Sequence, residues 1–352
     1  MKSLAREIGS EFWNIELAEK TDIQDAYPHQ YLLTGRTALD FIIKDIRAAS
    51  DFKRVYLPSF CCHTMIVPFL ENGISVEFYD ITFHKGQYQY EIDFNTASDV
   101  VLILQYFGFH NSYALQMIER LKNIGKIIIE DATHSWLTSA PYCSQSDYVF
   151  TSFRKWTGLA CGAYVIKQNG EPFKNTSLLG TNSEYIELRQ KAAKLKRQYI
   201  EEGIGEKEEF LQLFSRAEDL LDSDYRDYSV PIEYMNYIQR LELDKLRECR
   251  RSNAKYLIDQ LQRFYEIETV ELKDQDVPLF VPIYIKNGTR NDLRRYLIQR
   301  DIYCPVHWPL SDKHLINDTV LYDTGLSLIC DQRYSLADME RIIASISEYY
   351  GG

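Results

Sequence analysis

The sequence lacks both an apolar run that could cross a bilayer and an excess of basic residues. No stretch approaches the roughly 18 consecutive apolar residues that a membrane-spanning helix needs, and residues Met1 to Glu7 contain no apolar core of a secretion signal. The 51 acidic residues outnumber the 40 basic ones, which gives a formal net charge of −11. A chain without a general positive field does not attract nucleic acid or an acidic membrane surface. We therefore expect a cytoplasmic protein with no nucleic-acid partner and no membrane partner.

The cysteines form no pattern typical of a disulfide framework or a zinc site. There are seven, an odd number, and the only close pair is the adjacent Cys61-Cys62. His63 follows them, but adjacent cysteines do not have the spacing of ordinary zinc ligands, and no second ligand pair lies near in the sequence. We expect free thiols and no metal site, with a thiol or the imidazole lining a pocket.

The order of apolar segments predicts an α/β protein. A chain of 352 residues, 45% of them hydrophobic, can bury a large core and would usually form two domains. Between residues 31 and 167, short apolar strands alternate with amphipathic helices, which is typical of a mostly parallel sheet flanked by helices. The predicted strands are Arg54 to Leu57, Ser75 to Asp80, Val100 to Leu104, Lys126 to Glu130, Tyr148 to Ser152 and Ala163 to Lys167.

The second half of the chain is predicted to be largely helical. From about 184 to 222 the sequence is strongly charged, which favours a solvated helical pair without chemistry. A long helix from about Glu233 to Arg263 is followed by a strand, Leu279 to Ile285, and a helix, Arg290 to Arg300. A final helix opens with the capping-box pattern Ser335 to Asp338. We predict a large α/β domain over 1–225, which includes this charged helical excursion, and a smaller C-terminal α+β domain over 226–352.

Gly35, Arg36 and Thr37 stand where a helix begins. They precede an apolar i, i+3, i+4, i+7 stripe that starts at Leu39. The free backbone N–H groups and the positive dipole end of a helix N-terminus suit a phosphate group. The same residues are also an ordinary helix cap, and this motif alone does not separate the two interpretations.

Asp131 follows a strand-like run of isoleucines and Glu130. A carboxylate at the carboxyl end of a strand in an open α/β sheet projects toward the crevice where ligands bind. The alternative is an aspartate that caps the next turn. His134, three residues later, could lie against a bound ring or be purely structural.

Ser152 and Lys155 follow another predicted strand. The hydroxyl of Ser152 is placed to donate a hydrogen bond to a phosphate, and Lys155 stands between the aromatic residues Phe153 and Trp156. Desolvation and the neighbouring Arg154 would lower the pKa of the Lys155 amine and make it nucleophilic. An exposed loop lysine remains the alternative.

Together these residues supply what pyridoxal 5'-phosphate (PLP) chemistry needs. The cofactor requires an amine that forms a Schiff base with its aldehyde, an acid that keeps its pyridine nitrogen protonated, and an anion site for its phosphate. Lys155 is the predicted amine, Asp131 the predicted acid, and Ser152 with the helix start at Gly35 the predicted phosphate site.

With these residues in order, the chain resembles the DegT/DnrJ/StrS group of sugar aminotransferases, which are fold-type I PLP-dependent enzymes. The resemblance extends over roughly residues 30 to 350 and depends on several motifs in the correct order. The matching segments are Gly35 to Leu39, Leu57 to Phe60, Tyr106 to Gly108, Glu130 to His134, Ser152-Phe153 with Lys155, Arg250 to Asn253, and His307 to Pro309.

The resemblance implies an activity and partners. It implies an aminotransferase that moves an amino group from an amino acid, with glutamate as the expected donor, to a keto sugar that is expected to be nucleotide-linked. It also implies a homodimer with active sites at the subunit interface. Cys62 takes the place of the aromatic residue that often stacks on the cofactor ring, and His307 and Trp308 form an aromatic turn that could contact substrate. The alternatives are a PLP enzyme of another reaction type, for example a sugar dehydratase, and a non-catalytic regulatory relative.

The chain also departs from the group's pattern. The group usually places its lysine two residues further from the Ser-Phe pair and follows the lysine with Gly-Glu-Gly-Gly. Here the corresponding segment reads Leu159-Ala160-Cys161-Gly162. These changes bear on the substrate and on catalysis, whereas Lys155 keeps cofactor binding possible.

Overall fold

The computed structural model describes residues 7–19, 27–138, 145–177, 180–316 and 318–351. The expectation about a secretion signal depends on residues 1–6, which lie outside the described part. Contacts divide the chain into two units, each assembled from separate stretches. The first unit comprises Met1–Ser10, Lys53–Ser146 and Leu243–Gly352, and the second comprises Glu11–Phe52 and Asp147–Glu242.

The strands, in chain order, are β1 (Ile8–Gly9), β2 (His29–Leu32), β3 (Arg54–Pro58), β4 (Ser75–His84), β5 (Gln87–Glu91), β6 (Val100–Leu104), β7 (Ile127–Asp131), β8 (Tyr148–Ser152), β9 (Ala163–Lys167), β10 (Ile267–Thr269), β11 (Val281–Ile285), β12 (Ile302–Tyr303) and β13 (Gly325–Leu328). The helices are α1 (Gly35–Arg47), α2 (His63–Glu71), α3 (Ser112–Asn123), α4 (Ser183–Arg197), α5 (Lys207–Ser223), α6 (Ile232–Gln239), α7 (Leu243–Leu261), α8 (Arg290–Ile298), α9 (Val320–Thr324) and α10 (Leu336–Tyr350). A 3₁₀ turn spans Phe153–Lys155, and a π-helical segment spans Gln198–Glu202.

The first unit contains the parallel part of the fold. Strands β7, β6, β3 and β4 pair side by side in parallel, and β5 adds an antiparallel edge to β4. Every residue of β6 is buried, which agrees with its continuous apolar sequence, because a strand covered on both faces needs no polar alternation. A separate antiparallel sheet, in the order β10-β11-β13, belongs to the same unit.

The second unit contains three antiparallel strands and a helical pair. Strand β9 pairs with β2 on one side and with β8 on the other. Helix α1 packs against β8 and β9, and it buries the apolar stripe that the sequence predicts from Leu39 onward. Helices α4 and α5 pack against each other around Phe210 and Phe214.

The predicted fold class is confirmed. The chain has a mostly parallel set of strands with flanking helices and a separate small antiparallel sheet. The capping box predicted at Ser335 and Asp338 is formed at the start of α10. The boundary predicted between residues 225 and 226 stays a prediction, and the contact-based units do not follow it.

One sequence-based prediction of a helix was wrong. The long helix expected from Glu233 to Arg263 is two helices, α6 and α7, interrupted at residues 240–242. There the backbone pairs with a distant segment: Ala18 N–H donates to the Arg240 carbonyl at 2.7 Å, and Leu17 forms a bridge with Leu241. These long-range bonds replace helical ones, and no local sequence signal announces them.

In the described part of the chain, no helix is both long and apolar enough to cross a membrane.

Candidate active site

The start of α1 is an N-terminus of a long helix with a side-chain cap. Thr34 is the N-cap, with extended backbone, and its side chain accepts a hydrogen bond from the Thr37 N–H at 3.3 Å. The helix begins at Gly35 and runs for 13 residues. Because the first N–H groups of a helix have no intrahelical acceptor, this turn carries donors and a positive dipole end.

Ser152 ends β8 beside this helix start. It is 3% exposed, and its Oγ has no hydrogen-bond partner among the described residues. A Cβ built on Gly35 would lie 3.3 Å from the Ser152 Cβ and 3.8 Å from its Oγ. A buried hydroxyl without a partner is costly unless a ligand or water satisfies it. The second unit therefore holds a donor set that fits a phosphate group.

The side chains of Arg36 and Thr37 bond elsewhere in the second unit. Arg36 Nη1 donates to Asp222 Oδ1 at 2.7 Å and to the Leu221 carbonyl at 3.2 Å. Thr37 Oγ1 donates to the Tyr225 carbonyl at 2.7 Å. At this helix start, the backbone rather than these two side chains is available to an anion.

Lys155 lies at the end of the 3₁₀ turn that follows β8. The turn is held by a hydrogen bond from Trp156 N–H to the Phe153 carbonyl at 2.9 Å and by one from Phe153 N–H to the Gly162 carbonyl at 3.0 Å. Phe153 and Trp156 are buried, whereas Lys155 is exposed. Lys155 is thus exposed between two buried aromatic residues, whereas the sequence predicts a desolvated amine.

Asp131 ends β7 in the first unit, as the sequence predicts for a strand-end carboxylate. It is 4% exposed, and its Oδ1 accepts a hydrogen bond from the Thr133 N–H at 2.8 Å. The backbone carbonyl of Asp131 accepts from the Gln105 N–H at 3.1 Å, which fixes the strand end beside β6. The carboxylate therefore has the turn-capping bond that the sequence left open as an alternative.

His134, His307 and Trp308 come together in one aromatic cluster of the first unit. The buried His134 ring stacks on Phe107 with centroids 5.0 Å apart and on Trp308 with centroids 5.5 Å apart. His307 meets His134 edge to face at 5.9 Å, and its Nδ1 lies 2.8 Å from Ser327 Oγ. The sequence singled out His134 separately from the His307-Trp308 turn, and the structure places them side by side.

Phe107 contacts this cluster, although the sequence interpretation gave it no role of its own within the Tyr106 to Gly108 segment. It adopts a left-handed backbone with φ of 53°, and Gly108 follows with φ of 86°. A Cβ on Gly108 would lie 2.1 Å from the Val277 carbonyl oxygen, so only glycine fits there. The signal was the Tyr106-Phe107-Gly108 segment, whose turn requires the glycine and turns the phenyl ring toward His134.

Cys62 is the N-cap of α2, and Thr64 Oγ1 donates to its Sγ at 3.1 Å. Its neighbour Cys61 is fully buried. Burial, and then the nearby Cys62 and Asp131, raise the pKa of the Cys61 thiol well above its usual value. Cys61 is therefore a protonated thiol near Asp131. Among the described residues, no group of three or more histidine, cysteine, aspartate or glutamate side chains could hold a metal ion.

No family model and no curated protein sequence matches this chain significantly. Among solved structures, PseC from Helicobacter pylori, an aminotransferase involved in the biosynthesis of pseudoaminic acid, is similar at a TM-score of 0.66 and 13% identity, over 97% of this chain and 99% of that one. A DegT DnrJ EryC1 StrS aminotransferase from Brucella abortus gives 0.60 and 18%, over 92% and 86%. NtdA from Bacillus subtilis, solved with the cofactor PMP, gives 0.61 and 15%, over 91% and 72%. At these identities the likeness establishes the fold, and the chain has the fold of the DegT/DnrJ/EryC1/StrS-type sugar aminotransferases.

Proposed function

We propose that the protein is a PLP-dependent aminotransferase that transfers an amino group from an amino acid, glutamate by resemblance, to a keto sugar carried on a nucleotide. The observation that carries this proposal is the buried, unpartnered hydroxyl of Ser152 beside the start of α1, three residues before Lys155. Solved proteins of the same fold are named as aminotransferases, one of them involved in the biosynthesis of pseudoaminic acid, and NtdA was solved with bound PMP.

In this proposal, different residues bind different parts of the cofactor. The N–H groups of the first turn of α1 and the Ser152 hydroxyl bind the phosphate. The Asp131 carboxylate holds a proton on the ring nitrogen, since an anion beside a protonated nitrogen raises its pKa. When bound, PLP supplies an aldehyde that accepts amino groups and a ring that withdraws electrons.

Lys155 and His134 complete the proposal. The Lys155 amine holds the cofactor covalently and, once displaced by an amino donor, removes and returns the proton at the substrate carbon. His134, fixed between two rings, orients the cofactor without changing its own position. His307 and Trp308 contact substrate, because they share the cluster of His134.

The homodimer and the cytoplasmic location implied by the sequence belong to the same proposal. They are supported by the resemblance and by the scattered, odd number of cysteines in an acidic chain. Light scattering of the purified protein measures the oligomeric state, and a monomer at micromolar concentration would contradict the dimer.

The test is the visible absorption spectrum of the purified protein with added PLP. We expect an absorption band from lysine-bound cofactor in the wild type and in Lys191→Ala, a control at an exposed lysine of α4. Lys155→Ala should abolish the band, and glutamate should bleach it in the wild type. No band in the wild type would overturn the proposal. A band that glutamate leaves unchanged would favour a PLP enzyme of another reaction type.

A further inference from the structure

The residue before Lys155 is anchored to the helical pair of the second unit. Arg154 donates from Nη1 to Glu218 Oε1 at 2.9 Å and from Nη2 to Glu218 Oε2 at 3.4 Å. Glu218 lies on α5, 64 residues further along the chain. This two-bond contact fixes the guanidinium plane and, with it, the backbone of the turn that carries Lys155.

Glu218 is shared by a second arginine. Arg189, on α4 and 4% exposed, donates from Nη1 to the same Glu218 Oε1 at 3.0 Å and from Nη2 to Glu11 Oε2 at 2.8 Å. Glu218 therefore lies between two guanidinium groups that would otherwise repel each other. The charge-patterned helices, to which the sequence assigned no chemistry, thus contact the turn of the predicted cofactor lysine.

The Lys155 ammonium is electrostatically part of this cluster. Partial burial alone would raise the pKa of Glu11, yet Arg189 and the other nearby cations, Lys155 among them, lower it to about 2. Burial likewise raises the pKa of Glu218, but the surrounding cations, again including Lys155, hold it below its usual value. Since charge interactions are mutual, both carboxylates attract the Lys155 ammonium.

The titratable and charged groups of the cluster come from four elements: Glu11 from the N-terminal stretch, Arg154 and Lys155 from the 3₁₀ turn, Tyr185 and Arg189 from α4, and Glu218 from α5. The cluster contains three cations and two carboxylates, so its net charge is positive. The loss of either carboxylate makes the charge around Lys155 more positive.

We propose that Glu218 is a positioning residue for Lys155: it holds the turn through its bonds to Arg154 and Arg189, and it places a negative charge in the same cluster as the Lys155 ammonium. This proposal depends on the function proposed above for Lys155. Glu218→Gln removes the charge and leaves a side chain of the same length. Glu218→Asp keeps the charge and shortens the reach.

The first measurement is made without cofactor. The pKa of the Lys155 amine is determined from the pH dependence of its acylation, read by peptide mass spectrometry. Glu218→Gln should lower this pKa by about half a unit or more, because a negative charge near the amine is lost. Glu218→Asp should retain the wild-type pKa. The control is Glu184→Gln, at a 59% exposed residue of α4 paired with Arg216, and it should have no effect.

The second measurement is the PLP titration of the same variants by absorbance. Glu218→Gln and Glu218→Asp should each weaken formation of the band by about tenfold or more, since the turn loses a shared charged contact. A purely structural role would lower the urea midpoint and leave the pKa of Lys155 in place.

The outcomes separate this proposal from the proposed function. If the wild type binds PLP while Glu218→Gln changes neither the pKa nor the titration, the positioning role is overturned and the function stands. If the wild type fails to bind PLP, the function is overturned, and the acylation experiment still decides whether Glu218 acts on Lys155. Should Glu218→Gln fail to fold, Glu11→Gln, at a 41% exposed carboxylate, must shift the pKa in the same direction.

Discussion

Gly35 and Ser152 lie so close that a Cβ on residue 35 would stand 3.3 Å from the Cβ of Ser152. The backbone at the start of α1 and the buried hydroxyl of Ser152 therefore lie next to each other. Glycine at this position keeps the approach open, whereas a larger side chain would press against the serine.

Ser152→Ala should weaken PLP binding by about 10- to 100-fold, because one hydrogen bond to a charged group is lost. The urea midpoint should not fall, since the buried hydroxyl has no partner among the described residues. Ser177→Ala, at an exposed serine of the same unit, is the matched control. Equal affinity of the two variants in a fluorescence titration would contradict the phosphate role of Ser152.

Asp131→Asn should slow the reaction with glutamate by about 100-fold or more, because a neutral amide no longer stabilises a protonated ring nitrogen. The asparagine oxygen can still accept from the Thr133 N–H, so the strand end should stay in place. Stopped-flow absorbance measures the rate, and urea unfolding checks the fold. An unchanged rate in a stable variant would remove Asp131 from the proposed site.

Asp45→Ala should lower the free energy of unfolding by about 3–5 kcal/mol, because it leaves the buried Lys167 ammonium without its carboxylate. Asp45 is fully buried; its Oδ2 accepts from Lys167 Nζ at 3.0 Å and from Tyr148 OH at 2.7 Å, and its Oδ1 accepts from Asn175 N–H at 2.9 Å. Urea denaturation provides the measurement.

The control for this stability prediction is an exposed ion pair. Lys255 and Asp259 are 2.9 Å apart with both side chains at least half exposed, so Asp259→Ala should change stability by about 1 kcal/mol or less. If Asp45→Ala were as mild as this control, the buried network would not be a stabilising anchor of α1.

Asp331 should make stability depend on pH in the acid range. Burial would raise the pKa of this carboxyl, but Arg333, bonded to it at 2.7 and 2.8 Å, holds it below its usual value of 3.8. A carboxyl whose pKa is lower in the folded state contributes fully above about pH 5, and the contribution is lost as the pH falls below 3.8 toward the folded-state pKa.

Asp331→Asn should therefore unfold at a lower urea concentration than the wild type at pH 7, and the difference should shrink steadily below pH 4. Asp259→Asn serves as the exposed comparison. A difference that stays constant from pH 7 to pH 2.5 would assign the effect of Asp331 to packing rather than to its charge.

Local patterns were sufficient for three buried strands, but they missed β2 (His29–Leu32) and β5 (Gln87–Glu91). Val100–Leu104, Tyr148–Ser152 and Ala163–Lys167 have the predicted bounds, since an unbroken apolar run with polar flanks specifies a buried strand. The helix break at residues 240–242 was missed, because it depends on backbone bonds to residues more than 220 positions away in sequence.

The candidate site, like the fold, was predicted only in part from the sequence. Its residue types and order followed from motifs, as with Ser152 at the end of β8 and Asp131 at the end of β7. The environments of the side chains did not: Arg36 bonds to Asp222, and Lys155 is exposed although Phe153 and Trp156 are buried. The surroundings of a side chain depend on partners that are distant in sequence, and the hydrophobic periodicity of the sequence carries no information about those partners.

The two units are interleaved along the chain, and this has a consequence for synthesis. All stretches of the second unit precede residue 243, whereas the first unit still needs Leu243–Gly352, with its antiparallel sheet and helices α7, α8 and α10. The ribosome therefore completes the second unit first. The parallel strands of the first unit are then already synthesised, but the C-terminal stretch that completes their unit is not. A truncated message that ends near residue 242 would yield one whole unit and one unfinished unit, whereas a substantially shorter N-terminal fragment would contain no whole unit.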